Sequence, residues 1–229
     1  MTDPADRIFL EGVDFFEQKN YAGCIDKLEA YRQVGSNRDL LQEADYMLAY
    51  IAFTEGKKNA ADLLADYLKE YQDSRHTDEV SFLIGTGYFE REEYDRAERW
   101  FGKPRVDVIS DKHREALLSR LAYAQMQNQH YEHARANFAA AAEFGYEFSQ
   151  PSIFYMAYLD YATGKYEDAM REFDRMKKDP VYREKANYYI AQINYLEENH
   201  DDVVTLTERL LRTYPKSDSN PELHRIAGN

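Results

Sequence analysis

The chain is predicted to be all-α, a right-handed α-solenoid of tandem helix–turn–helix repeats. A Tyr-x-x-small segment recurs along it at a nearly constant interval. A small residue also stands at one fixed distance before every copy. Apolar spacings of 3, 4 and 7 residues run throughout, and no stretch alternates as a strand does.

The recurring segment is Tyr21-x-x-Cys24, Tyr94-x-x-Ala97, Tyr131-x-x-Ala134 and Tyr166-x-x-Ala169, with weaker copies ending at Ala61 and Val203, where Lys58 and His200 hold the Tyr slot. The intervals between successive end residues are 37, 36, 37, 35 and 34. Twelve positions before them stand Gly12, Ala49, Gly85, Ala122, Ala157 and Ala191. Two helices that cross closely need side chains of a methyl or less where they face each other, which accounts for both slots. Large residues then fill the space around the crossing. Leu28, Phe101, Phe138 and Phe173 stand four after the end residue, with Ala65 and Thr207 breaking the series. Leu48, Ile84, Leu121, Met156 and Ile190 stand thirteen before it, with Glu11 the exception.

Punctuation follows the same register. Asp3-Pro4, Gln150-Pro151, Asp179-Pro180 and Asn220-Pro221 place proline in the first turn of a first helix, where its missing N–H costs nothing, and Asp or Asn stands at the N-cap in three of them. Gly56 and Gly164 fall in turns between paired helices, and Gly35 and Gly145 follow second helices as C-cap candidates. The predicted layout is a single array over 3–219, with repeats near 3–36, 37–75, 76–110, 111–148, 149–178 and 179–219. Residues 220–229 read as the start of a further, truncated repeat. One repeat is irregular: Gly102-Lys103-Pro104 should end its second helix near Phe101, because proline removes a helical hydrogen bond and clashes with the turn before it. The linker 102–111 is either a tolerated insertion or a functional edge.

These residues resemble the tetratricopeptide repeat (TPR) family, over about 3–215, in the small residue of the first helix, the Tyr-x-x-Ala opening of the second and the period near 34. The resemblance implies a scaffold whose first helices line a concave face and whose second helices form the convex one. Segments 67–74 and 210–217 look like bacterial envelope-associated members, which inclines the expected compartment toward the periplasm or envelope over the cytoplasm. Met1-Thr2-Asp3-Pro4 shows neither the basic nor the apolar region of a signal peptide, so the expectation is a cytoplasmic protein or a trimmed, mature chain.

Composition narrows the partners. The 229 residues carry 29 Lys+Arg against 42 Asp+Glu, a net charge of -13, which argues against nucleic acid and anionic membranes. No apolar run approaches the ~20 residues of a spanning helix. The single Cys24 excludes an internal disulfide framework. Tyr and Phe are abundant, at 20 and 12.

In families of this kind the inner face is read fifteen, eleven and eight positions before the end residue, spacings of 4 and 3 that share one helical face. Those positions hold Phe9, Val13, Phe16; Tyr46, Tyr50, Phe53; Phe82, Thr86, Phe89; Ser119, Tyr123, Met126; Phe154, Tyr158, Tyr161; and Tyr188, Gln192, Tyr195. Such a stripe is either a recognition groove or packing between repeats. The groove candidates are Tyr46, Tyr50, Phe53, Phe89, Tyr123, Tyr158, Tyr161 and Tyr195, with the middle positions Tyr50, Tyr123 and Tyr158 expected to be the most exposed. If the acidic excess lines that face the partner is basic; if it coats the other, it only solvates.

No catalytic, cofactor or metal site is expected. His130 and His133 lie three apart with no third ligand. Cys24 occupies a packing slot with no base beside it. Gly85-Thr86-Gly87 sits mid-helix, without the Lys-Ser/Thr of a phosphate loop. Three functions are compatible with these features: a non-enzymatic scaffold binding a peptide or protein surface in the groove, a structural segment of a larger envelope assembly, and an aromatic groove for a glycan or small ligand.

Overall fold

The computed structural model describes residues 3–108 and 110–228. Among them the backbone forms thirteen α-helices and one 3-10 turn, with no strand. Two compact units meet in sequence between Ser110 and Asp111. The first contains α1 (Pro4–Glu17), α2 (Tyr21–Val34), α3 (Arg38–Thr54), α4 (Ala60–Glu70), α5 (Thr77–Glu90), α6 (Tyr94–Phe101) and the 3-10 turn Val106–Val108. The second contains α7 (Asp111–Gln127), α8 (Tyr131–Ala142), α9 (Ser149–Ala162), α10 (Tyr166–Met176), α11 (Arg183–Leu196), α12 (His200–Thr213) and α13 (Asn220–Ala227). Within each unit every first helix packs on the second helix that follows it, and every second helix packs on the next first helix. No helix among the described residues is long and apolar enough to cross a membrane.

Both small slots are buried, and they do different jobs. A methyl added at Gly85 would come within 2.6 Å of the Phe101 ring, and one at Gly12 within 2.8 Å of Leu28. The slot on the first helix therefore seats the large residue four beyond the end residue of its own repeat. The end residue looks the other way: a methyl at Gly87 of α5 would sit 3.0 Å from the Cβ of Ala61. That slot is small because the next first helix crosses there. Cys24, Ala97, Ala134 and Ala169 are fully buried, as are Leu28, Phe138 and Phe173.

All six turns between paired helices are built alike. The second residue after the first helix takes the left-handed conformation: Lys19, Gly56, Glu92, Gln129, Gly164 and Glu198, with φ between 57° and 78°. The following N–H then donates to the carbonyl five residues back, as in Lys165 to Asp160 at 2.7 Å and His130 to Gln125 at 2.8 Å. Four of the six positions carry a side chain that resists this backbone; the helix pairing over-determines the turn.

Several caps differ from expectation. Asp3 caps α1 through its carboxylate, which accepts from the Ala5 N–H at 2.9 Å. Asp179-Pro180 instead forms a turn ahead of α11, Asp179 accepting from Val181 and Tyr182, and Ser219 rather than Asn220 stands at the N-cap of α13. Gly35 ends α2 with extended backbone and is needed for space, since a methyl there would strike the Tyr31 ring. The second helix of repeat two starts at Ala60, two residues beyond the Lys58 slot.

Polar anchors supplement the apolar layers. In the first unit α6 ends at Phe101, and Arg105 grips Asp78 of α5 through its backbone N–H at 2.9 Å and two guanidinium nitrogens at 3.1 and 2.8 Å. In the second, Arg135 of α8 donates to both oxygens of the buried Asp160 of α9, at 2.6 and 2.9 Å. The fully buried Glu115 accepts from Ser149 Oγ at 2.7 Å and Tyr146 N at 2.9 Å, tying the long loop before α9 to α7.

Two outcomes follow from this packing. Ala157→Leu should overpack the seat of Phe173 and cost about 1–3 kcal/mol in denaturant unfolding; an unchanged midpoint would refute the register. Asp78→Asn tests the Arg105 clamp, whose hydrogen bonds hold the Asp78 carboxyl below its ordinary range. A depressed carboxylate stabilises above its unfolded pKa and loses that contribution as pH falls through the folded one. The variant should be about 1 kcal/mol less stable near neutrality, with the gap closing below pH ~4 when unfolding is followed across pH.

Candidate functional site

In the first unit the inner-face residues of α1 and α3 meet. Phe16 and Tyr50 lie 5.8 Å apart, and Tyr46 and Tyr50 5.9 Å, between ring centroids. Beside them opens a cleft of about 750 Å³, walled by Phe9, Val13, Phe16 and Tyr46 and rimmed by Glu17, Asp39, Glu43 and Arg75. Arg75 is spoken for by Glu43, at 2.8 Å. Among the described residues Glu17 and Asp39 form no ion pair, which leaves the rim acidic. Tyr46 is a wall rather than a free contact: it is 9% exposed, stacks on His76 at 3.6 Å and donates its hydroxyl to Glu79 at 3.0 Å. Burial, reinforced by Glu79, pushes its phenol well above the usual tyrosine range.

Tyr50 and Phe53 are half-buried, and Phe53 lines a smaller hollow with Gly87. Phe89 is half-buried against Tyr94 and Phe101. In the second unit Tyr123 meets Tyr155 edge-on at 5.1 Å. Tyr158 and Tyr161 come together around Tyr189, at 5.6 and 5.1 Å. Tyr195 lies under the Arg225 guanidinium at 5.4 Å. Tyr123, Tyr155, Tyr158, Tyr161, Tyr189 and Tyr195 all keep partial exposure.

Two residues outside the inner-face register organise that cluster. Tyr155 stacks on Phe138 at 5.4 Å, and Tyr189 stacks on Phe173 at 5.0 Å, each fourteen before its own repeat's end residue and each covering the preceding repeat's large side chain. Burial pushes the Tyr189 phenol up to about 12. The signal was available in sequence, because an aromatic occupies this position only in the repeats preceded by Phe138 and Phe173.

Reactive groups are not gathered here. Burial pushes the Cys24 thiol up to about 11, which keeps it protonated near neutrality. His130 and His133 are exposed at the start of α8, and among the described residues no three His, Cys, Asp or Glu side chains form a metal-binding group.

The chain has the TPR fold. It superimposes on PilF of Pseudomonas aeruginosa with a TM-score of 0.62 at 18% identity, over 96% of each chain. It matches the C-terminal part of a TPR repeat-containing protein from Cytophaga hutchinsonii with a TM-score of 0.66 at 14% identity, over 96% of this chain and 87% of that one. A tetratricopeptide repeat protein of Parabacteroides merdae gives 0.58 at 14%, over 98% and 99%. No family model and no curated protein matches the sequence.

Stability should separate the two kinds of aromatic. Tyr189→Ala strips a stacked ring from between two repeats and should cost about 3 kcal/mol, whereas Tyr50→Ala should cost about 1 kcal/mol in thermal or denaturant unfolding. Equal losses would mean that Tyr50 is as deeply engaged in packing as Tyr189.

Proposed function

We propose that the chain is a non-enzymatic scaffold that holds a peptide or protein segment against the inner faces of its first helices. The observation that carries this reading is the cleft of about 750 Å³ in the first unit, with apolar walls and two unneutralised carboxylates on its rim. Its chemistry suits a partner segment that inserts an apolar side chain and places a basic residue beside Glu17 and Asp39. Tyr50 next to the cleft, and Tyr123, Tyr158, Tyr161 and Tyr195 in the second unit, supply rigid contact area with a hydroxyl at its edge. Phe53 and Phe89 contribute apolar surface beside them.

A display selection of random peptides against the whole chain tests this. The selected peptides should pair basic with apolar residues. Their affinity should fall about tenfold with Val13→Arg or with Glu17→Lys, in variants that melt like the parent. Enrichment of acidic sequences, or binding indifferent to both substitutions, would refute it. Loss of binding in a folded Tyr50→Ala variant would extend the contact to the tyrosine beside the cleft, and a folded Tyr123/Tyr158→Ala variant tests the second unit by itself.

A further inference from the structure

A second cavity, of about 370 Å³, opens in the first unit between α4, α5 and α6. None of the inner-face positions lines it. It falls within the size range of small-molecule sites, about 300–1,000 Å³. Two local features shape it. The large side chain of this repeat's second helix is the fully buried Leu64, which leaves the small, half-buried Ala65 next to it on the cavity wall. The early end of α6 before Pro104 then brings Lys103 back over the mouth, with its ammonium 3.2 Å from the centroid of the Trp100 ring.

The lining is chemically specific. Ala65 and Leu68 supply an apolar surface, Trp100 an indole, and Lys69 and Lys103 two ammonium groups. Neither lysine forms an ion pair, and no acidic side chain lines the cavity among the described residues. Two unneutralised cations around one hollow are unexpected in a chain of net charge -13. Burial without a compensating carboxylate holds the Lys103 ammonium below its ordinary range. Ser81 of α5 forms part of the wall; it is 1% exposed and its hydroxyl has no hydrogen-bond partner. An orphaned buried hydroxyl is costly and calls for an acceptor.

The corresponding cleft one repeat earlier, between α2, α3 and α4, lacks these features. It is larger, about 620 Å³, and its cation Arg32 is paired with Asp45 at 2.9 Å, which also accepts from the Tyr71 hydroxyl at 2.7 Å. Among the described residues, the Ala65 cavity combines two lysines outside any ion pair, an unused donor and an aromatic plane.

We propose that this cavity binds a small amphipathic carboxylate, its apolar body on Ala65, Leu68 and Trp100 and its carboxylate held by Lys103, Lys69 and the Ser81 hydroxyl. Trp100 is the chain's one tryptophan, so its emission reports occupancy directly. The parent chain is titrated with 3-phenylpropionate, with the uncharged 3-phenylpropionamide and with inorganic phosphate, and the variants are compared by calorimetry. A saturable change in Trp100 emission is expected with 3-phenylpropionate, with the amide at least tenfold weaker for want of a charge-assisted hydrogen bond. Lys103→Gln and Ser81→Ala should each weaken binding about tenfold. Ala65→Phe should fold, melt no lower than the parent, and abolish binding by filling the space. The proposal is overturned by the absence of a saturable response, by equal affinity for acid and amide, or by binding that survives Ala65→Phe. Saturation by phosphate without 3-phenylpropionate would mark a bare oxyanion site and overturn the amphipathic assignment. The inner-face reading uses none of these residues and stands or falls separately.

Discussion

Steric exclusion at the helix crossings sets the conditions for everything else in this molecule. A first helix can approach its partner only where Gly12 or Gly85 leaves room for Leu28 or Phe101, and the next first helix can approach only over a residue as small as Ala61. Interiors packed near crystal density tolerate neither a bulge nor a gap at such points. The period of the chain is therefore the distance at which the two small residues and one large one must recur. The Tyr155–Phe138 and Tyr189–Phe173 stacks extend the same rule outward, because a large side chain seated in one repeat offers the next a flat apolar surface.

This explains what could be read from the residues and what could not. The register was legible because a close crossing accepts only Gly, Ala or a compact substitute such as Cys24, so the constraint leaves a trace in residue identity. The end of α6 was legible for a similar reason, since proline cannot continue a helix. The turns were legible only in part. All six use a left-handed residue, yet only Gly56 and Gly164 announce it, while Lys19, Glu92, Gln129 and Glu198 are forced there by helix pairing. Tertiary constraint of that sort leaves no mark on a side chain. Nor could the inner-face positions by themselves separate Tyr46, a stacked and hydrogen-bonded wall, from Tyr50, which keeps partial exposure one turn away. The difference comes from His76 and Glu79, thirty and more residues further on.

Burial thus varies among the inner-face positions. Phe9, Phe82 and Phe154 are buried at the first position of their trios, and the middle position varies: Tyr50, Tyr123 and Tyr158 are half-buried, Thr86 and Gln192 are buried. Rings that are half-sunk in a rigid layer lose little entropy when a partner covers them, which suits them to recognition. Their charge setting is local. The acidic rim of the first-unit cleft arises because Glu43 takes up Arg75 and leaves Glu17 and Asp39 without a counter-charge.

Departures from a repeat's steric rule can be more informative than conformity. Where the rule holds, a side chain's identity is explained by packing and says nothing about ligands. At Ala65 the fully buried Leu64 takes the seat one position early, and Ala65 is left on the wall of a hollow with Leu68, Lys69, Trp100 and Lys103. Thr207 breaks the same series differently: it is fully buried and satisfies its hydroxyl on the Val203 carbonyl at 2.7 Å, so the sixth repeat closes over it. One substitution has been absorbed by packing and hydrogen bonding. The other borders a hollow with one buried hydroxyl that lacks a partner, the kind of group whose desolvation is costly.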